Sequence, residues 1–373
     1  MHIFVLKENL TKALSIVGKG VSTKPQLPIL SYILLKAEKD QFTLSATNLE
    51  LGIVMSIGAK VEKEGEAAIP GKFLTDFVSS LTAEKVELIL DGTNLIVKTN
   101  KTRSSFTTTP SSDFPPFPDL PESKKTFPVG KLKETILRTV FAASIDEGRP
   151  VLTGVKTTVS GGKISFAATD GYRMSKEEVE TGDKKEELQV ILPATSLAEV
   201  VRIASDIKAE EVGFSIIEKK NQVVFILPHI FVFTRLIDGE FPNIEKIIPQ
   251  VFKSKVTVDR EQFTQAVKTA SLFARGAANI VKIKIEKEGL RISANAPQVG
   301  ENEDFVEAVV VGEEMEIAFN FRFLLDILSH LTDKEIIFET SGPLSPGVFK
   351  QLSPASTFLH LIMPVRVQEA TTQ

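Results

Sequence analysis

Three landmarks recur in this chain in one order, at an interval of about 120–130 residues. A repeat of that length restricts the fold to a few similar domains in series. The first landmark is an extended start running into an amphipathic helix: IFVLKENLTKALSIVGKG from Ile3, TFPVGKLKETILRTVFAAS from Thr126 and KVTVDREQFTQAVKTASLFA from Lys255. Leu10, Ala13, Leu14 and Val17 fall at i, i+3, i+4 and i+7, the spacing of one helical face. Leu132, Ile136 and Val140 repeat the pattern, as do Phe263, Val267 and Ala270. The second landmark is a strand pair with a small-polar signature, FTLSATNLELGI, ISFAATDGYRMS and LRISANAPQVGE. The third is a short strand, a second helix and another strand. Pro70 and Pro193 stand at its strand-to-helix step, where a missing N–H costs little, and Asn320 offers an N-cap in the third copy.

Ala46, Ala168 and Ala294 correspond at intervals of 122 and 126, and Leu74, Leu197 and Leu324 at 123 and 127. This period is too long for a solenoid unit and matches whole domains. The proline-dense PSSDFPPFPDLP at 110–121 can continue neither helix nor sheet, and FPNIEKIIPQ at 241–250 marks a second break. The expected domains are 1–121, 126–249 and 250–373. Strands such as the one carrying Val223, Phe225 and Leu227, or Phe358, His360 and Ile362 against Leu359, Leu361 and Met363, alternate. Two helices packed on antiparallel sheet in each copy make the expected class α+β.

Several chemistries fall away. The chain has no cysteine, which excludes disulfides, thiolate nucleophiles and cysteine-ligated metals. Its four histidines, His2, His229, His330 and His360, show no metal-ligand spacing and read as surface or packed residues. No run of about 18 apolar residues is present for a membrane helix. The start, MHIFVLKENLTKAL, carries early charge and lacks the apolar core of a secretory signal, so a cytoplasmic chain without cofactor or metal is expected. There is no P-loop, nucleophile elbow or HExxH. Asp170, near Arg173, is the one carboxylate that suggests catalysis. It aligns with Asn48 of the first repeat, which points to a turn residue making local hydrogen bonds.

A net charge of −4 argues mildly against a nucleic-acid partner. The charge is unevenly spread, however. The first helix of each repeat carries +2: Lys7, Lys12 and Lys19 against Glu8, Lys131, Lys133 and Arg138 against Glu134, and Arg260, Lys268 and Arg275 against Glu261. The second helices are balanced, with Lys72 facing Asp76, Arg202 and Lys208 facing Glu199 and Asp206, and Arg322 facing Asp326. The remainder of the chain is therefore acidic. Lys12 and Lys19 share one helix face, as do Lys268 and Arg275, each pair seven residues apart. A solvated helix face explains any one of these stripes; three copies suggest a basic lining that attracts phosphate without reading bases.

At this point the residues resemble a known family over the whole chain. LPIL (27–30), ATNLELGI (46–53), ATDGYRM (168–174), DGEFPNIEKIIP (238–249) and MPVR (363–366) are similar, in order and spacing, to the bacterial DNA sliding clamp, the β subunit of DNA polymerase III. The resemblance implies a head-to-tail homodimer, six similar domains in a ring whose helices line a central hole and whose strands form the outside. It implies double-stranded DNA, the replicative polymerase, the clamp loader and other clamp-binding-motif proteins as partners, and no reaction of its own.

Carried over position by position, the resemblance puts the ring joint at Phe106 with Leu272 and Phe273. Thr108 stands where the family often has an apolar residue. A partner-peptide pocket is implied at Leu152, Thr169, Gly171, Tyr172, Arg173, Met174, Pro242, Lys246, Asn320, Phe323, Leu344, Pro346, Leu361, Ile362, Met363, Pro364, Val365 and Arg366. Met174 and Met363 would let it repack around different partners. For Leu361 and Ile362 a C-terminal core strand is the alternative. Lys246 replaces an arginine common in the family, and Pro346 a serine. Lys24 and Arg149 match loop positions that touch duplex, although Asp146 departs from the family there. Together with Lys12, Lys19, Lys72, Lys131, Arg138, Arg202, Lys268 and Arg275 they make the expected DNA-binding set. Two other readings stay open: an enzyme built on Asp170, and a repeat-built protein scaffold that never touches DNA.

Overall fold

The expected helices form where the apolar spacing put them. In the computed structural model, which describes residues 1–22, 25–120, 125–180, 187–276 and 278–366, they are α1 (Lys7–Val17), α2 (Gly71–Ser80), α3 (Val129–Val140), α4 (Ala194–Asp206), α5 (Arg260–Ala274) and α6 (Phe321–His330). Leu10, Ala13, Leu14 and Val17 are fully buried, as are Phe263, Val267 and Ala270. In α3 the buried face is shifted. Val140 is only half-buried, while Thr135 and Thr139 go inside. Their hydroxyls donate to the carbonyls of Lys131 and Thr135, one turn back, so they enter the interior without an unpaired donor.

Helix starts follow the sequence closely. Asp259 caps α5 by accepting from the Gln262 N–H at 2.9 Å, and Asn320 caps α6 by accepting from Arg322 N–H at 3.0 Å. Pro70 and Pro193 each end a strand, and a helix begins at the next residue.

Among the described residues the strands join into three antiparallel sheets of five, eight and twelve strands. The five-stranded sheet runs Lys60–Lys63, His2–Leu6, Lys85–Asp91, Asn94–Lys98, Arg103–Thr107. The other two sheets each cross from one repeat into the next. In the eight-stranded sheet, Ile230–Arg235 of the second repeat pairs with Leu51–Gly58 of the first. In the twelve-stranded sheet, Leu359–Ile362 of the third repeat pairs with Arg173–Glu180 of the second. The last strand of a repeat therefore adds to the same strand of the repeat before it. We call these pairings the first and second junctions.

This continuity divides the chain differently from the repeats. One compact unit holds Met1–Gly130 with Glu199–Leu236, and the other holds Lys131–Ala198 with the chain from Ile237 on. The middle repeat contributes to both, because its strands hydrogen-bond into two sheets. Within the first unit, α1 packs on α2 and on Leu51–Gly58. Within the second, α5 packs on α6 over a core in which Phe263, Phe319, Phe338 and Phe349 are all but inaccessible. Removing each such ring from water stabilises the fold by roughly 1.5–3 kcal/mol.

Strand alternation proves weaker than expected. Val224 is as buried as Val223 and Phe225, and His360, Leu361 and Ile362 are all buried in succession. Strands covered on both faces lose the period of two; the first of these pairs with a junction strand and the second forms a junction itself.

Candidate functional site

The second junction is built on a turn. Asp170 Oδ1 accepts from the N–H groups of Tyr172 and Arg173 at 2.8 and 3.0 Å, and Thr169 Oγ1 accepts from Gly171 N–H while donating to the Arg173 carbonyl. Gly171 has φ +93°, a conformation glycine adopts freely. The first repeat makes the same bonds. Asn48 Oδ1 accepts from Glu50 and Leu51 at 3.0 and 2.7 Å, and Thr47 repeats the role of Thr169. Leu49 takes Gly171's place at φ +76°. Asp170 is thus a turn-former, with its other oxygen on the Arg173 guanidinium at 3.1 Å.

Arg173 is the hub of the site. Its side chain, 11% exposed, also donates to Asp326 of α6 and to the Phe141 carbonyl, and it lies 4.7 Å over the Phe323 ring. Phe141 is stacked between His330 at 4.1 Å and His360 at 5.2 Å. His360 Nδ1 meets Ser175 Oγ at 2.6 Å, directly across the junction pairing, and its Nε2 is buried without a partner. Burial holds this imidazole well below its ordinary value of 6.5, and Arg173 and His330 repel a proton further.

That shift has a consequence for stability. Above pH 6.5 His360 is neutral in both states. Below it the unfolded chain takes a proton that the folded chain refuses, so stability falls with pH by about 1.4 kcal/mol per unit from this group alone. Urea unfolding at pH 7.5 and 5.5 should show a larger acid loss for the parent chain than for His360→Gln; equal losses would contradict the assignment.

The implied pocket residues separate into a floor and a rim. Met174, Leu361 and Ile362 are essentially inaccessible, with Met174 opposite Leu361 in the strand pairing, and Thr169 is buried too. They support the site from beneath, so the expected repacking role is left to Met363, 39% exposed, and not to Met174. Tyr172 and Leu344 are exposed at 62% and 59%. The Met363 N–H donates to the Tyr172 carbonyl at 2.8 Å, and Val365 N–H to Ala318 at 2.8 Å, which holds the 363–366 segment in place. Gly171, Pro242, Lys246 and Arg366 are also exposed, while Leu152, Asn320, Phe323, Pro346, Pro364 and Val365 are half-buried. Beneath Pro242 and Lys246, Phe241 and Ile244 close a cluster with Met174, Val348 and Leu361.

Sequence reading missed Phe141, Phe241, Ile244, Asp326, His330 and His360. Ile244 had a signal, its place three residues after the Phe-Pro step of the break. Asp326 was expected opposite Arg322, yet its carboxylate goes to Arg173, a partner distant in sequence.

The basic residues also divide. Lys12, Lys19, Lys72, Lys131, Lys268 and Arg275 are exposed and enter no ion pair among the described residues. Arg138 corrects the expectation. Its guanidinium forks onto Glu177 at 2.9 and 2.7 Å, reaches Gln351, and is 13% exposed, so it is not offered to phosphate. Burial pushes the Glu177 carboxyl up and Arg138 pulls it back. Arg149 is shared with Asp146 at 3.4 Å and Arg202 with Glu199 at 2.9 Å. Lys24 lies outside the described residues.

Of the expected joint residues, Leu272 is 62% exposed, whereas Phe273 is half-buried against its own core. Phe106 is half-buried, edge-on to Phe77 at 5.2 Å, on the open edge strand Arg103–Thr107. Thr108 donates its hydroxyl to the Thr93 carbonyl.

Comparison with known proteins gives one consistent result. Family models for the N-terminal, central and C-terminal domains of the DNA polymerase III beta subunit match residues 1–118, 126–243 and 245–366. The beta sliding clamp of Synechocystis sp. is 31% identical, with 98% of this chain and all of that protein covered. The Bacillus subtilis beta sliding clamp is 30% identical over 98% of this chain and its own full length. The crystal structure of the Bacillus subtilis sliding clamp aligns at TM-score 0.94 with 28% identity, covering 99% of this chain and all of that one. The beta subunit from Thermotoga maritima aligns at 0.92 with 27% identity, over 98% of this chain and all of that one.

Three clamp domains in series, α+β throughout, define a sliding-clamp chain. The chain belongs to the family of DNA polymerase III beta subunits, the beta sliding clamps. It is a processivity factor of DNA-directed DNA polymerase and not itself a catalyst. Among the described residues no helix is long and apolar enough to cross a membrane, and no cluster of potential ligands could hold a metal.

Proposed function

We propose that two copies of this chain close head to tail around duplex DNA in the cytoplasm, each built as domains 1–121, 126–249 and 250–373. On this reading the ring tethers the replicative polymerase, the clamp loader and other partners through a peptide cleft at the second junction. The observation that carries the proposal is the strand rule. The second and third repeats each add their last strand to the repeat before, and among the strand edges left open in the described residues are Arg103–Thr107, the last strand of the first repeat, and the Glu301–Glu307 part of Gly300–Gly312. Pairing them between copies extends the rule to a third junction and removes both edges from solvent. Their chemistry is complementary. One carries Arg103 beside Lys101, with Phe106 packed on Phe77; the other carries Glu301, Glu303, Phe305 and Glu307, and α5, which bears Leu272 and Phe273, packs against it.

Lys12, Lys131 and Lys268, exposed and in no ion pair among the described residues, recur at the first helix of each repeat, and they supply the sequence-independent attraction that sliding needs. For the cleft, the exposed Tyr172, Leu344 and Met363 around a packed floor suit the apolar anchors of a short peptide.

Loading onto nicked circular DNA tests the reading. The ring should stay on circles and be lost on linearisation. The log–log dependence of duplex binding on salt should flatten by roughly 0.9 for each cation that neutralises a phosphate, so by up to about 5 in a ring whose two copies both carry Lys12→Ala, Lys131→Ala and Lys268→Ala. Arg138→Ala should leave the slope unchanged. Equal retention on linear and circular DNA would overturn the ring, and an unchanged slope in the triple variant would overturn the assignment of these lysines.

A further inference from the structure

The two junctions share their turn bonds and a cross-junction bond, and differ in what fills them. The turn bonds of Thr47 and Asn48 repeat those of Thr169 and Asp170. The Arg235 N–H donates to the Glu50 carbonyl at 2.9 Å, just as Met363 N–H does to Tyr172. The segment after each last strand also corresponds, with Phe114 and Phe117 in the places of Phe241 and Ile244.

At the first junction, Gly52 occupies the place of Met174, and the space goes to Phe117. A Cβ on Gly52 would lie 2.7 Å from Phe117 Cε1, so the ring rests directly on the bare backbone. Phe117 also packs on Phe233 at 5.5 Å and on Phe114 at 6.3 Å. A residual opening of about 80 Å³ remains between the turn and Pro115–Pro118. Gln222 lines it, and its buried Oε1 has no partner, an acceptor of the kind a peptide N–H would satisfy. The rim is charged: Glu50 and Arg235 stand where the second junction has Tyr172 and Met363.

We propose that the first junction is a second peptide cleft of the same construction, held closed by the chain's own linker, with Phe117 as its resident ligand. This rests on reading the second junction as the partner cleft. The linker supplies an aromatic anchor flanked by Pro115, Pro116 and Pro118, which have little conformational freedom, so the tethered ligand loses little entropy on docking. One copy of this chain then offers one open cleft. The charged rim keeps a free apolar peptide from competing for the other.

The test is a count of bound peptide. A fluorescent pentapeptide with leucine and phenylalanine anchors is titrated against the full-length chain. One peptide per chain is expected for the parent and for Phe117→Leu, which keeps an apolar plug. Two per chain are expected for Phe117→Ala combined with Glu50→Tyr and Arg235→Met, the second site within about tenfold of the first. Hydrogen exchange gives an independent readout: the amides of residues 49–52 should exchange at least tenfold faster in Phe117→Ala alone and be re-protected by peptide in the triple variant. A count of one in a folded triple variant, or unchanged exchange in Phe117→Ala, overturns the second cleft and leaves the first standing. Absence of binding to every variant, the parent included, overturns the partner-cleft reading and this inference with it.

Discussion

Replacing Leu272 and Phe273 together by alanine should convert the chain from a particle of about twice 40.9 kDa to one of 40.9 kDa at micromolar concentration. A head-to-tail pair closes through two identical joints, so every substitution acts twice. Truncating a large apolar residue at the centre of an interface costs on the order of 1–2 kcal/mol or more. Two residues at two joints then remove roughly 4–8 kcal/mol, a weakening of about 10³- to 10⁶-fold. Phe273 also packs on its own core, so part of its loss falls on folding. Leu272→Ala alone separates the effects, because a side chain 62% exposed in the single chain contributes little to its fold. Arg103→Glu should weaken the joint as well, by setting like charge against the Glu301–Glu307 edge. Sedimentation equilibrium over a concentration series reads all three, and a double variant that remains dimeric at submicromolar concentration defeats the proposed joint.

The second large effect is expected at Arg173. Arg173→Ala deprives Asp170, Asp326 and the Phe141 carbonyl of one shared donor and removes a planar cation from the Phe323 face. The turn presenting Tyr172 would no longer be tied to α6. Peptide affinity at the second junction should fall by about 100-fold or more, in line with the roughly 2–4 kcal/mol typical of a central arginine. Arg173→Lys keeps the charge but cannot bond two carboxylates and a carbonyl from one plane, so it should recover less than a tenth of the loss in affinity. Fluorescence anisotropy with a labelled apolar pentapeptide measures this, with circular dichroism to show that the fold persists. Affinity within threefold of the parent in Arg173→Ala would remove Arg173 from the site.

Local signals carried much of the architecture. Helix faces, N-caps and the two proline steps depend on neighbours within four residues, and Asp259, Asn320, Pro70 and Pro193 do what their positions imply. The alignment of Asp170 with Asn48 was enough to foresee a turn, because the turn's hydrogen bonds are made by its own four residues. Arg138 shows where such reading ends. Its charge and helical position are those of a phosphate contact, yet Glu177 lies 39 residues away on a strand and takes the guanidinium.

The same distinction runs through the cleft. Met174, Leu361 and Met363 are alike in sequence as apolar residues at strand ends, and only the pairing of Leu359–Ile362 with Arg173–Glu180 makes the first two floor and the third rim. The sequence by itself determined the threefold repeat, the α+β class and the excess of cations on the first helix of each repeat, since periodicity and composition act over short stretches of chain. Tertiary structure alone decided which strand edges are left open, which cations are already neutralised, and that Phe117 fills one junction where Ile244 and Met174 floor the other. Those outcomes rest on contacts between residues tens to hundreds of positions apart, and no local pattern of residues encodes the distance between them.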